Sequence, residues 1–216
     1  MHTAWQTILL AITTANLVAL LLQNRRLRTA LATARHEAHH DPLTGLPNRR
    51  ALVRHLNALL ADRARPVSVA LLDLNDFKAI NDQHGHAAGD SLLIHVADTL
   101  AALDLPAAYI GRMSGDEFLI ITDGGERTSR ENATAAADAL DRSTLAIFGE
   151  PVNCRASVGL AIADHGTRTA SDLLTRADAA MYDAKRRGAA VELWHHTTAT
   201  TATTATKAAT SRRRYR

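Results

Sequence analysis

The sequence predicts an α+β domain in which helices flank a central sheet of about five strands. Three observations predict it. Residues 67–73 form an apolar run typical of a strand that is buried on both faces. Two further apolar runs surround a polar turn at 114–117, which indicates a β-hairpin with Gly115 at the bend. The other segments give the element order β-α-α-β-β-α-β-α-β.

The composition supports a sizeable core and narrows the range of functions. Of the 216 residues 46% are hydrophobic but only 4% are aromatic, so Ala, Leu, Ile and Val must build the core. The formal charge is +3, and much of the basic excess lies at the two ends, so it does not indicate nucleic-acid binding. Cys154 is the single cysteine, which excludes an intrachain disulfide and a cysteine metal cluster.

The first 40 residues predict a membrane anchor at 1–24 and a linker helix at 25–40. The apolar run at 4–22 is about as long as a bilayer-spanning helix, and Arg25, Arg26 and Arg28 follow it. The positive-inside rule then places the rest of the chain in the cytoplasm, as a single-pass protein of the inner membrane. The alternatives are a secretory signal, which lacks its usual basic start here, and a helix packed against protein.

The domain between 41 and 195 is predicted element by element from capping, turn and periodicity signals. Asn48 is expected to cap a helix that continues to about residue 61. The later helices are predicted at 75–84, 89–103, 130–148 and 171–187, and the later strands at 109–112, 118–122, 152–163 and 191–194. The Thr/Ala-rich basic tail at 196–216 is predicted to be disordered.

Three acids are candidates for a metal site. Asp73 ends the buried strand, and Asp116 and Glu117 lie at the hairpin tip. If the strand and the hairpin are neighbours, these carboxylates converge at one sheet edge, where oxygen ligands suit Mg²⁺. The helix that follows Asp73 begins with free N–H groups and Lys78, which suit a triphosphate. The alternative is that the acids are ordinary solvated surface groups.

The residues at 114–118 read SGDEF, one residue away from the GGDEF signature of the bacterial diguanylate cyclases. Four other blocks resemble this family in order and spacing: DPLTGLPNRRAL at 41–52, DLNDFKAINDQHGHAAGD at 73–90, ASVGLAIA at 156–163 and RADAAMYDAKRRG at 176–188. The resemblance covers residues 41–195. It implies a mixed, antiparallel-containing sheet like the palm of nucleotide cyclases and polymerases.

The resemblance also implies an activity and the residues that perform it. Such a domain condenses two GTP into cyclic di-GMP and two pyrophosphates as a homodimer, with Mg²⁺ or Mn²⁺. The metal ligands would be Asp73, the Leu74 carbonyl, Asp116 and Glu117. Asp116, Glu117 and Lys78 would be catalytic. The substrate-binding residues would be Phe77, Asn81, His86, Asp90 and Lys185.

Three positions depart from the family pattern, and one departure implies that product inhibition through the family's RxxD site is absent. Ser114 replaces the first glycine of the signature, the window at 105–108 lacks the RxxD motif of the inhibitory product site, and Ala189-Ala190 follow Gly188 where Arg-Asn is common. The alternative is a catalytically silent domain that binds GTP or a partner protein. A cyclase for another dinucleotide is disfavoured by Asn81 and Asp90, which match guanine readers.

Overall fold

The structure, a computed structural model, describes residues 2–62, 65–164, 166–167 and 169–195. Contacts within the chain divide it into two units, Met1–His39 and His40–Arg216. The tail that the sequence predicts to be disordered, at 196–216, lies outside the described residues.

The first unit is a single helix, α1, which runs from His2 to His39. One continuous helix therefore covers nearly all of the predicted anchor and the predicted linker. The side chains that are described in α1 begin at Asn16, so most of the predicted membrane span at 4–22 falls outside them. Among the described residues, no helix combines the length and the apolar character that crossing a bilayer requires.

Within the described residues of the second unit, the chain forms seven strands and five helices. The strands are β1 (Val67–Leu74), β2 (Ala108–Ser114), β3 (Glu117–Asp123), β4 (Thr144–Ile147), β5 (Glu150–Asn153), β6 (Ala156–Ile162) and β7 (Val191–Leu193). The helices are α2 (Arg49–Ala61), α3 (Phe77–His84), α4 (His86–Ala101), α5 (Glu126–Asp141) and α6 (Ala170–Arg187). Asn48 caps α2 as predicted, since its side chain accepts the N–H of Ala51 at 3.1 Å.

Five of the strands form one mixed sheet in the order β2-β3-β1-β6-β7. The central strand β1 pairs antiparallel with β3 and β6, and β7 joins β6 in parallel. Successive residues of β1 point to opposite faces, so Leu71 packs in the core under α2 and α6 while Leu72 packs under α4 and α5. The predicted sheet of about five strands, flanked by helices, is confirmed.

The segment at 130–163 differs from the prediction. The helix expected at 130–148 is wrong beyond Asp141, where α5 ends. Residues 144–153 form a separate hairpin, β4–β5, because Phe148 and Gly149 take positive φ angles of 51° and 86° and reverse the chain. The strand expected at 152–163 is accordingly divided between β5 and β6.

Helix α6 lies directly on β6 at Gly159. A Cβ built at Gly159 would lie 2.1 Å from the carbonyl oxygen of Ala177 and 2.2 Å from the nitrogen of Met181. Both atoms belong to the backbone of α6, which cannot turn aside as the end of a flexible side chain can. The close approach matters for the site because the last turn of α6 carries Lys185.

The loop before α2 is fastened to the β2–β3 hairpin by Arg112. The guanidinium donates to Asp41 Oδ1 at 2.9 Å and to the Gly115 carbonyl oxygen from Nε at 3.0 Å and from Nη2 at 2.8 Å. The backbone N–H of Arg112 donates to the Pro47 carbonyl at 2.9 Å. Partial burial acts to raise the pKa of Asp41, but the hydrogen bonds from Arg112 and Thr44 outweigh it and hold this pKa below its ordinary value of 3.8.

We predict that Gly159→Ala destabilises the domain by about 3 kcal/mol, because the added methyl group forces α6 away from the sheet. The matched control is Gly124→Ala, where the nearest atoms to a new Cβ lie 3.5 Å away. We expect this control to change the free energy of unfolding by less than about 0.5 kcal/mol. Urea denaturation measures both variants, and equal stabilities would contradict the close approach.

We predict that Asp41→Asn lowers the free energy of unfolding by about 1–3 kcal/mol at pH 7, because Arg112 loses a charged acceptor. The folded-state pKa of Asp41 is depressed, so its contribution is present above the unfolded-state pKa and is lost as the pH falls through the folded-state pKa. The stability difference between the variant and the original protein should therefore shrink below about pH 4. A difference that stays constant down to pH 2.5 would show that the charge of Asp41 is not responsible.

Candidate active site

The predicted acidic residues meet where β1 ends and β3 begins. Asp73 is the direct partner of Glu117 in the β1–β3 register. The backbone N–H of Leu74 donates to the carbonyl oxygen of Asp116 at 3.3 Å, so the turn residue is tied to the same strand end. The structure thus brings Asp73, Asp116 and Glu117 to one edge of the sheet, as the sequence predicted, and Leu74, which the resemblance implied, lies beside them.

The donor atoms at this edge are oxygens. Glu117 is 1% exposed, while Asp73 and Asp116 are partly exposed. Carboxylates with a neighbouring backbone carbonyl form the kind of ligand set that Mg²⁺ and Mn²⁺ take. Across the described residues, no three His, Cys, Asp or Glu side chains are gathered closely enough to hold a metal by themselves. A cation at this edge would therefore need further oxygens, such as those of the Leu74 carbonyl, water and a bound phosphate.

Lys185 contacts Asp73 directly. Its Nζ lies 2.6 Å from Asp73 Oδ1, and the two residues are 112 positions apart in the sequence. The Lys185 side chain is 37% exposed, so its ammonium group can also turn toward solvent or a ligand. The resemblance implied that Lys185 contacts phosphate, whereas here its charge neutralises the carboxylate that is a candidate metal ligand.

The connection from β1 to α3 is a tight turn. Asp76 takes a left-handed backbone conformation, with φ at 59°, just before the first residue of α3, Phe77. The first-turn N–H groups of a helix have no acceptor within the helix, and Lys78 is exposed in this turn. The ring of Phe77 is partly buried against the core under α4 and α5. The turn therefore offers a backbone donor surface beside Asp73 for an anionic group.

Asn81 in α3 lies against α4 at Gly89. A Cβ at Gly89 would lie 2.0 Å from Asn81 Oδ1 and 3.2 Å from the Phe77 ring. Gly89 is inside α4, which begins at His86, so the predicted helix start at Gly89 is wrong. Position 89 requires a glycine because a Cβ there would collide with the Asn81 side chain. The glycine does not mark the start of the helix.

The other two predicted base-binding residues lie on the same helix. Asp90 follows Gly89 in α4 and is exposed, and His86 is exposed one turn earlier. The structure therefore brings Asn81 beside the turn of α4 that carries Asp90. An amide and a carboxylate held there can accept and donate hydrogen bonds to the edge of a purine.

A cavity of about 840 Å³ lies between the start of α3, α5, β5 and the end of α6, and its lining does not include Asp73, Asp116 or Glu117. Its lining includes Asn75, Asp76, Arg155, Ser157, Lys185 and Ala189. Ser157 Oγ donates to Asn75 Oδ1 at 2.9 Å, and Arg155 forms an ion pair with Asp141 at 2.7 Å.

Sequence reasoning missed Asn75, Ser157 and Arg155 as lining residues. The signal was available for Asn75, which follows the end of β1. It was not available for Ser157, which reaches the site only through the β1–β6 register, where Ser157 is the partner of Asp73.

Side chains hold the turn of the SGDEF segment from both sides. Gly115 has a φ of 51°, which a glycine adopts without strain. The register shifts between Arg112 and Ser114, so that Ser114 becomes the partner of Glu117. Ser114 Oγ donates to Glu117 Oε2 at 2.5 Å, and Arg112 holds the Gly115 carbonyl.

The chain matches the model of a protein family and is similar to known proteins in sequence and in fold. Residues 38–190 match the family described as diguanylate cyclase, GGDEF domain. An uncharacterized protein of Mycobacterium tuberculosis is 41% identical over 163 residues, which cover 74% of this chain and 26% of that protein. Diguanylate cyclase DgcP of Escherichia coli is 36% identical over 186 residues, which cover 80% of this chain and 53% of DgcP.

A solved structure is also similar. The coiled coil and GGDEF domain of DgcB from Caulobacter crescentus, in complex with c-di-GMP, superimposes with a TM-score of 0.76 at 27% identity, covering 83% of this chain and 97% of that one. The chain spans about a quarter of the length of the relatives it matches at 41% identity. The family match covers well over half of the chain, with the acidic edge inside it. The chain belongs to the GGDEF-domain family.

Proposed function

We propose that this protein is a diguanylate cyclase that condenses two GTP molecules into cyclic di-GMP. The observation that carries the proposal is the pairing of Asp73 with Glu117 across β1 and β3, with Asp116 bonded to the next residue of β1. The start of α3, whose first-turn N–H groups suit phosphates, follows closely after Asp73. The named diguanylate cyclase relative DgcP, at 36% identity, supports the same activity.

The residues at the acidic edge fit a divalent cation, Mg²⁺ or Mn²⁺, because their donor atoms are oxygens. Asp73, Asp116, Glu117 and the Leu74 carbonyl would hold it. When bound, the ion neutralises phosphate charge and lowers the pKa of the attacking hydroxyl. If Asp73 served as a ligand, Lys185 would turn its ammonium group from Asp73 Oδ1 toward a phosphate oxygen.

The reaction joins two nucleotides by two equivalent steps. In each step a ribose 3′ oxygen attacks the α-phosphorus of the other GTP, the bond to the β-phosphate bridging oxygen breaks, and pyrophosphate leaves. Asp116 accepts the proton of the 3′ hydroxyl, because it is the partly exposed acid at the turn. Lys78 and the first-turn N–H groups of α3 hold the triphosphate. Asn81 and Asp90 hold the guanine, with His86 and Phe77 beside the base.

One site binds one GTP, so the product requires two chains facing each other. We infer a homodimer, and the pattern along α1 supports it. Leu27, Leu31, Ala34 and Ala38 recur at spacings of four, three and four residues, and Leu27 and Leu31 are 63% and 52% exposed. Such a stripe is the kind of surface that pairs with a second helix in a coiled coil.

The alternative is a silent domain that binds GTP or a partner protein. The observation that favours it is Ser114, whose side chain stands where the family signature has glycine. The retention of Asp73, Asp116 and Glu117 favours the enzyme, because silent domains of this kind commonly lose such acids.

We predict that the whole chain converts GTP to cyclic di-GMP and pyrophosphate with Mg²⁺, and that its specific activity rises with protein concentration as dimers form. Asp116→Asn should reduce turnover by about 10²–10⁴-fold, because the hydroxyl proton loses its acceptor. Asp98→Asn, which changes an exposed acid at the far end of α4, should leave turnover unchanged. The measurement is product identification by mass, with rates taken over a range of concentrations.

Two outcomes of this assay would contradict the proposal. A dimeric preparation with no turnover would favour the silent domain. Turnover that persists in Asp116→Asn would show that another group accepts the proton.

We also propose that the apolar run at 4–22 anchors the protein in the inner membrane, with the domain in the cytoplasm. The length of the run and the arginines that follow it support this location. We predict that the whole chain stays with the membrane fraction after an alkaline carbonate wash and that Ile12→Arg releases it, whereas Thr29→Arg, beyond the run, does not. A chain that washes off unaltered would contradict the anchor.

A further inference from the structure

The serine that replaces the first signature glycine makes a specific contact. Ser114 Oγ donates a hydrogen bond of 2.5 Å to Glu117 Oε2. The contact depends on the irregularity in the β2–β3 register, which shifts between Arg112 and Ser114 and makes Ser114 the partner of Glu117. Glycine at this position has no atom that could make this hydrogen bond.

The hydrogen bond acts on a carboxylate that is almost completely buried. Glu117 is 1% exposed, so hydrogen-bond donors and not bulk water must hold its charge and orientation. A hydroxyl-to-carboxylate bond of this length is of the charge-assisted kind, which is about twice as strong as a neutral one. Ser114 itself is exposed, so its hydroxyl group reaches inward from the rim of the site.

The hydrogen bond is part of a braced turn. On the opposite side, Arg112 holds the Gly115 carbonyl oxygen with two donors. Only Gly115 and Asp116 lie between the two strands, so both ends of the turn are fixed close to the acids. A serine Cβ also restricts the backbone more than glycine does, which reduces the freedom of the segment before the turn.

We propose that Ser114 is a positioning residue that orients the Glu117 carboxylate for the divalent cation of the site. The proposal rests on the proposed function only in assuming that a cation binds at this edge. Hydrogen-bonded partners that orient a metal-binding side chain commonly raise metal affinity by about 10–100-fold. The Ser114 hydroxyl group would thus orient the Glu117 carboxylate, which the glycine of the family signature leaves to other groups.

The test measures Mn²⁺ binding to the whole chain by electron paramagnetic resonance. The nucleotide present is a GTP analogue that has carbon between the α- and β-phosphorus. This readout needs no turnover. Ser114→Ala and Ser114→Gly should each weaken Mn²⁺ binding by about tenfold. Ser114→Thr keeps the hydroxyl group and should stay within about threefold of the original protein. Ser91→Ala, which removes an exposed helix hydroxyl, is the matched control.

A double-mutant cycle separates positioning from a general effect on folding. In a Glu117→Gln background, Ser114→Ala should have little further effect on Mn²⁺ affinity, because the charged acceptor is already gone. Thermal unfolding of each variant gives its stability independently. The positioning role stands if the Ser114 variants bind GTP and turn it over normally at saturating metal and lose only affinity for Mn²⁺.

Equal Mn²⁺ affinity in Ser114→Ala, Ser114→Gly and the original protein would overturn the proposal. Tighter binding in the two variants would also overturn it, because the hydroxyl would then be competing with the metal for Glu117. If the original protein binds no Mn²⁺ at this edge, the cation site of the proposed function fails and this inference fails with it. If Mn²⁺ binds but no cyclic di-GMP forms, only the proposed activity fails.

Discussion

The antiparallel pairing of β1 with β3 is the constraint on which the site depends. The register places Asp73 opposite Glu117, and the turn that precedes β3 is bonded to the next residue of β1. A slip of one residue would send one of the two carboxylates to the other face of the sheet. Both faces of β1 pack against helices, so the same slip would exchange its buried side chains between the two cores and disrupt the packing of both.

Around this pairing, the neighbouring elements contribute further groups to the site. The close approach of α6 to Gly159 puts Lys185 within 2.6 Å of Asp73. The close approach of α3 to Gly89 fixes Asn81 beside Asp90, and Arg112 ties the hairpin to the loop before α2. Two of these contacts depend on glycines: Gly159 meets the backbone of α6, and Gly89 meets side chains of α3. The geometry of the site is therefore maintained by packing well away from the acids themselves.

The sequence predicted the strand at β1, the hairpin and the helix α6 because each has a strong local signal. Local patterns could not supply the contacts between distant segments. The Lys185–Asp73 ion pair joins residues 112 positions apart, and Ser157 reaches the site only through strand register. The β4–β5 hairpin was missed because an alanine-rich stretch leads into it, and its turn depends on a positive φ at Phe148 that no local propensity favours. The hydrogen bond of Ser114 likewise required the register shift, which the sequence did not reveal.

The central claim is that acids from β1 and from the β2–β3 hairpin share one divalent cation beneath a guanosine triphosphate. Anomalous diffraction from crystals grown with Mn²⁺ and a GTP analogue that cannot react tests this directly. The account predicts an anomalous peak between the carboxylates of Asp73 and the hairpin acids, with Lys185 turned from Asp73 toward a phosphate. Bound nucleotide with no peak at that edge, or with Lys185 still paired to Asp73, would contradict it.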